Sequence, residues 1–283
     1  MNDHKDKRIE DLETLLEQER TGKLICAELN NFVNLRDSLI TVIKHMRTIS
    51  RCQAVGIRLH DNGDYPYFVY DGFPETFIQK ENSLCAKGEN GKRMPSSDGK
   101  GFLLECMCGN IIRGKYDPEV PFFTNGGSFW SNNTTQLLSS TTEADRQSGT
   151  RNYCNSCGYE SVALIPIKAR GDRIGLIQLN DMRIGMFNEQ LIQYFEMIGD
   201  QIGLAVHNSW VYTQLQKAYE EIKVLRGIIP ICSNCKKIRD DAGYWQQVDV
   251  YIRDHTEASF SHGICPECTK RLYSEYLDDK EMG

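Results

Sequence analysis

A chain of 283 residues, 40% hydrophobic and 25% charged, has the composition of an ordinary globular protein and is long enough for one or two domains with sizeable cores. Its net charge of −6 at pH 7 argues against broad affinity for nucleic acid or anionic membranes. The N-terminus mixes acidic and basic residues with no apolar core, and no apolar run approaches the ~20 residues of a membrane span, so a cytoplasmic location without a secretory signal is expected.

Residues 1–22 place Ile9, Leu12 and Leu16 at helical spacing among charges and read as a short amphipathic helix. Beyond Thr21-Gly22, a second helix is predicted from Lys23 to Thr48, with Leu29, Phe32, Val33, Leu39, Ile40, Ile43 and Met46 as its apolar stripe. Val55, Ile57 and Leu59 alternate with other residues, Asp61-Asn62-Gly63-Asp64 reads as a tight turn, and Tyr67 to Tyr70 is β-prone, which together predict a hairpin. His60 reads as a solvent-face strand residue.

Glu81 to Gly101 is polar and glycine-rich, and Phe102 to Ile112 resumes a β-like pattern containing E-C-M-C-G. On a strand, Cys106 and Cys108 would face the same way. Pro121 to Thr150 is a second polar excursion, broken by Gly126-Gly-Ser-Phe-Trp130. Two long insertions flanking one sheet are where a ligand pocket or lid is built.

The central hairpin is Ser161 to Ile167, nearly all apolar, then a turn at Ala169-Arg-Gly-Asp172, then the alternating run Ile174 to Leu179. A long helix follows. Leu191, Phe195, Ile198, Ile202 and Ala205 should pack on the domain, whereas Val211, Leu215, Ala218, Ile222 and Leu225 repeat the spacing in shifted phase. The second set reads as a two-heptad coiled-coil connector over residues 209–229, which would make a homodimer; a helix lying on the chain's own surface is the alternative. Gly227 and Pro230 end the helix.

Eleven cysteines are many for a cytoplasmic chain, where clustered thiols more often bind metal or do redox work than form disulfides. In residues 230–283, Cys232-Ser-Asn-Cys235 and Cys265-Pro-Glu-Cys268 supply the two thiolate pairs that tetrahedral zinc requires, and a segment with so few core residues needs such a staple. The second pair opens a predicted helix from Thr269 to Leu277, as in a treble clef. Residues 226–283 hold 8 Lys or Arg and 10 Asp or Glu, so this module favours a structural or protein-docking role over nucleic acid.

A second group, Cys85, Cys106, Cys108, Cys154 and Cys157, is scattered in sequence but can converge at one sheet edge. Three readings stay open: isolated packed thiols, a second zinc or an iron–sulfur centre on four of the five, or a thiol switch in which Cys154 and Cys157, or Cys106 and Cys108, exchange partners.

The order helix, hairpin, excursions, hairpin, long helix, with C-G-Y-E-S-V-A-L-I-P-I (157–167) and R-I-G-L-I-Q-L-N-D (173–181), resembles the GAF domain over roughly residues 24–208. The resemblance implies an α+β fold for residues 23–208: a six-stranded antiparallel sheet with flanking helices and a small-molecule pocket. More narrowly, L-E-C-M-C-G (104–109), G-G-S-F-W-S-N (126–132) and R-N-Y-C (151–154) resemble a cysteine-bearing GAF subgroup of bacterial sensory proteins, which implies Cys85, Cys106, Cys108 and Cys154 as pocket cysteines, with Cys157 ranked last. The tail is similar to a segment appended to bacterial response-regulator and sensor proteins. No cysteine-histidine pair of the bilin-attaching kind is present. The function expected is therefore sensory or regulatory, with a histidine kinase, response regulator or other signalling protein as partner and no membrane role. The alternatives are a thiol-based reductase using a cysteine pair, and a zinc-dependent transcription-associated module.

Overall fold

A computed structural model describes residues 2–30, 34–96, 99, 101–147, 150–226, 230–240 and 243–273, with the side chains of 2–15 and 220–226 outside that description. The chain divides into two compact units, Met1–Thr213 and Gln214–Gly283.

The first unit begins with α1 (Asn2–Asn30) and α2 (Leu35–Ser50). The expected break at Thr21-Gly22 is absent, and α1 runs through it. Gly22 lies against Tyr194, where a Cβ would come 3.4 Å from the Tyr194 hydroxyl. The second helix starts instead at Leu35, after Asn34, whose side chain accepts from the Arg36 amide at 2.9 Å and caps α2. Of the expected stripe, Phe32 and Val33 lie outside the described residues, as do the side chains of Ile9, Leu12, Ile222 and Leu225.

The sheet is antiparallel throughout, built from β1 (Ala54–Leu59), β2 (Tyr67–Asp71), β3 (Phe129–Ser131), β4 (Ser161–Ala169) and β5 (Asp172–Asp181), in the order β2-β1-β5-β4-β3. Both predicted hairpins are present. In each, the two central turn residues have positive φ, Asn62 and Gly63 in one and Arg170 and Gly171 in the other, as the right-handed strand twist favours. The sheet has five strands where six were expected. Residues 102–105 make only isolated bridges, Phe102 to Pro95 and Leu104 to Cys85, before the chain turns into a helix. The aromatic run at Phe129 supplies the short edge strand instead.

Strand periodicity sorts the side chains between two cores. On one face, Val55, Ile57, Ile165, Ile177 and Leu179 pack with Leu39, Ile43 and Met46 of α2 and with Phe195, Ile198 and Ile202 of α7 (Glu189–Arg226). On the other, Val162, Leu164 and Leu176 meet the short helices α3 (Glu75–Glu81), α4 (Cys106–Ile112), α5 (Thr134–Ser140) and α6 (Tyr153–Ser156). The second face also carries Arg58, Gln178 and Asn180, all buried. It is the face with chemistry.

In the second unit, β6 (Ile238–Arg239) and β7 (Trp245–Gln246) form a small antiparallel pair, followed by α8 (Val248–His255) and α9 (Pro266–Leu272). Cys265 caps α9, so the second cysteine pair does open a helix; its expected continuation past Tyr273 lies outside the described residues. Among the described residues no helix is long and apolar enough to cross a membrane.

Candidate functional site

The site grows from an inconsistency in an otherwise apolar strand. β5 reads Ile-Gly-Leu-Ile-Gln-Leu-Asn-Asp from Ile174, and period two sends Leu176, Gln178 and Asn180 to the same face, opposite Pro166, Leu164 and Val162 of β4. A buried amide must find partners. Gln178 accepts from the Tyr67 hydroxyl at 2.8 Å and donates to Asn180 Oδ1 at 3.2 Å and to the Cys154 sulfur at 3.5 Å. The Cys108 thiol approaches its Oε1 at 3.9 Å, so one side chain touches two of the predicted cysteines.

Tyr67 is held by Arg58, its cross-strand neighbour, whose guanidinium carbon sits 3.6 Å from the ring centroid. Arg58 is fully buried and donates to the carbonyls of Tyr65, Asn82 and Glu81 at 3.0, 3.3 and 2.7 Å. Gly56 makes room for this stack, because a Cβ there would come within 2.9 Å of the Tyr67 ring.

Cys106 and Cys108 lie on α4, not on a strand. The prediction that both thiols leave one strand face is therefore corrected, and helical placement spreads them around the first turn. Gly109 allows this helix its position: a Cβ would meet Leu104 Cβ at 2.8 Å. Cys106 itself has φ +65°, a left-handed conformation costly for a residue with a side chain. The Cys108 thiol hydrogen-bonds the Cys106 sulfur, and this contact, together with the Arg151 guanidinium and the amides of Cys108 and Met107, holds the Cys106 thiol below the ordinary range against the opposing effect of burial. The Cys108 thiol is pushed up by that same contact and by burial. Burial also pushes Cys154 up to about 12 and, with Asp64 nearby, Cys85 to about 11.

Cys106, Cys108 and Cys154 line one cavity of ≈ 60 Å³, with Arg146, Asn152 and Thr134 among the other walls. The remaining two cysteines stand elsewhere. Cys85 is directed at the Gly63 carbonyl, 3.7 Å away, and Cys157 lies beside the Tyr153 hydroxyl, to which it hydrogen-bonds. Cys85 and Cys157 thus stand apart from the three cavity thiols, and among the described residues no three Cys, His, Asp or Glu side chains are grouped to hold a metal ion.

Arg151 ties the site together from the loop before α6. It lies 3.7 Å from Glu81 and 3.6 Å from Glu105, and donates to the Ser83 carbonyl at 3.0 Å. Glu81 is buried, and burial raises its carboxyl above the ordinary value against the pull of Arg151. Sequence reasoning missed Arg58, Tyr67, Glu81, Arg146, Arg151, Gln178 and Asn180. Polar residues at alternate positions of the apolar runs 54–59 and 174–179 were the available signal for Arg58 and Gln178.

The GAF domain family model matches residues 34–206. The chain belongs to the GAF domain family. The GAF region is similar to a probable 3',5'-cyclic phosphodiesterase of Caenorhabditis elegans, 24% identical over 124 residues, covering 42% of this chain and 17% of that protein's length. Among solved structures it is similar to the GAF domain of a Coxiella burnetii phosphoenolpyruvate-protein phosphotransferase, at 12% identity and a TM-score of 0.48, covering 70% of this chain and 98% of that one. The corresponding domain from Acinetobacter matches at 16% identity and a TM-score of 0.46 over 69% of this chain and 95% of that one. A free methionine-R-sulfoxide reductase of Neisseria meningitidis, solved with its substrate, matches at 12% identity and a TM-score of 0.46 over 71% and 93%.

In the second unit, among the described residues, Cys232, Cys235, Cys265 and Cys268 are not grouped in threes or more to hold a metal ion. Backbone amides of Cys235 and Asn234 point at the Cys232 sulfur, and the Cys268 amide donates to the Cys265 sulfur at 3.5 Å. These contacts lower both leading thiols.

Proposed function

We infer that this chain is a regulatory protein of bacterial signal transduction whose GAF domain responds to a small ligand or to thiol oxidation state at Cys106, Cys108 and Cys154. The observation that carries this reading is the convergence of three thiols, from two helices far apart in sequence, on one small cavity wired to the sheet through Gln178. A change at those thiols acts on Gln178 and Asn180 of β5, the strand whose other face, at Ile177, packs in one core with Phe195 and Ile198 of α7. The helix α7 continues into the second unit, where Cys232, Cys235, Cys265 and Cys268 would hold a structural zinc and present a docking module to a kinase, response regulator or other signalling protein.

Val211 and Leu215 are 42% and 65% exposed on α7, which supports a second copy of the chain as the partner of that face. Sedimentation of the full chain against Leu215→Asp tests this.

The test of the sensory reading is hydrogen exchange along α7 in protein purified without oxygen, before and after metal loading, oxidation or exposure to small ligands. Changed protection over 198–215 that disappears in a Cys106→Ser/Cys108→Ser variant supports the reading. Unchanged protection under every treatment that demonstrably alters the cluster overturns it. The lowered Cys106 thiol also suits a thiol-based reductase, and steady turnover of an oxidised substrate with an external dithiol would favour that second reading.

A further inference from the structure

We propose that the cavity is a hydroperoxide site, in which Cys106 reduces a small hydroperoxide and Cys154 then closes a disulfide joining α4 to α6. This inference rests on the sensory reading above and names its stimulus.

The cavity decides the class of reactant. At ≈ 60 Å³ it holds a few water-sized groups, which fits hydrogen peroxide or a short alkyl hydroperoxide. Its walls are largely the apolar side chains of Met107, Phe129, Leu137, Val162 and Leu164, which suits a neutral molecule. One cation is present at the wall. Arg146 is 7% exposed, donates to the Thr141 carbonyl at 2.7 Å, and leaves its buried Nε without a partner. Its positive charge in the wall is what would stabilise charge developing on an oxygen in the cavity.

The thiols divide into roles by position. Cys106 sits at the strained, positive-φ start of α4, where two amides, the Cys108 thiol and Arg151 together favour an anionic sulfur. Cys108 is buried and Cys154 half-buried, and desolvation keeps both as thiols. Cys108 is two residues from Cys106 within the same helical turn, so a bond between them would require that turn to open. Cys154 comes from a separate four-residue helix that follows Asn152 at φ +55°, and it feels the Cys106 charge.

The chemistry balances with the hydroperoxide as oxidant. The Cys106 thiolate attacks the terminal oxygen; a sulfur–oxygen bond forms and the oxygen–oxygen bond breaks. Cys106 is oxidised by two electrons to a sulfenic acid, and the leaving oxygen takes a proton and departs as an alcohol or water. The Cys154 sulfur then attacks the Cys106 sulfur, its thiol proton leaves with the sulfenic hydroxyl as water, and the disulfide forms. An external dithiol restores both thiols. A disulfide needs Cα atoms within about 7 Å, so closure draws α6, and the loop carrying Arg151, against α4.

The experiment uses the full chain, reduced and handled without oxygen, with hydrogen peroxide and tert-butyl hydroperoxide as probes. After each addition the remaining thiols are blocked and peptides mapped by mass spectrometry. The expected result is a Cys106–Cys154 disulfide, formed at least about tenfold faster than any disulfide in the urea-unfolded chain. In Cys154→Ser, a sulfenic acid should accumulate on Cys106 and be trapped by dimedone. Arg146→Met serves as a second variant that keeps the start of α4 and all thiols in place while slowing the peroxide step. Cys106 remaining reduced while other cysteines oxidise, a Cys106–Cys108 disulfide, or reaction at the unfolded-chain rate would each overturn the proposal. A disulfide without any change along α7 would sustain the chemistry and remove the sensory reading; a response of α7 to another ligand with Cys106 inert to peroxide would do the reverse.

Discussion

Tyr67 donates its hydroxyl to Gln178 at 2.8 Å in a fully buried contact between β2 and β5, two strands that are not neighbours in the sheet. The bond reaches across β1 above Gly56, which provides the room. This hydrogen bond joins the Arg58 stack to the amide that touches Cys108 and Cys154, so Tyr67 helps hold Gln178 in position.

Replacing Tyr67 by Phe keeps the ring under Arg58 and removes only the hydroxyl. Gln178 Oε1 then retains only the long Cys108 contact. A loss of about 1–3 kcal/mol in urea unfolding is expected, with faster alkylation of Cys154 as Gln178 loosens. Unchanged stability and unchanged Cys154 reactivity would show that the amide is positioned by other contacts.

Gly203 is where α7 crosses the end of β4. A Cβ at this position would overlap the carbonyl oxygen of Lys168, a backbone atom that cannot swing aside. Gly203→Ala should therefore cost about 1–3 kcal/mol through displacement of the helix, although alanine is the better helix former by about 1 kcal/mol. A higher denaturation midpoint in the variant would mean that helix propensity outweighs the close approach.

The Cys106 thiol is held below its unfolded value, chiefly by Cys108 and then by Arg151. A group with a depressed folded value stabilises the fold fully above its unfolded value, ~8.5 for a thiol, and loses that contribution as pH falls through the folded value. The charged or titratable groups around it are Cys108, Cys154, Glu81, Glu105, Arg58 and Arg151. Site-mapped iodoacetamide labelling should show Cys106 reacting at neutral pH while Cys154 does not. Arg151→Met should move the Cys106 profile to higher pH. A Cys106 profile with the midpoint of an unfolded thiol would remove the basis for its reactivity.

The tail should carry about one zinc per chain, lost in Cys235→Ser/Cys268→Ser. Chelation is expected to abolish protection against proteolysis in 230–273 and to leave the cooperative melting of the GAF domain in place, because the two units are separately compact. Protease resistance of the tail that persists after complete metal removal would show that its own small core suffices.

The sequence by itself determined the two hairpins, the long C-terminal helix, the family and the paired cysteines of the tail. Each of these is written in adjacent residues: Asp61-Asn62-Gly63-Asp64 and Ala169-Arg-Gly-Asp172 specify turns, the alternation in β5 specifies a strand, and the spacing from Leu191 to Ala205 specifies a helix face. Tertiary structure decided the rest. That 106–112 is helix and not strand was not written in its periodicity; in the fold Gly109 leaves room for Leu104, where a Cβ would come within 2.8 Å. Which of five thiols would meet depended on packing two short helices, 106–112 and 153–156, over one face of β5; chain order carries no information about that convergence. Gln178, Arg58 and Arg151 acquired their roles only when burial removed water and left each polar group dependent on partners from distant segments.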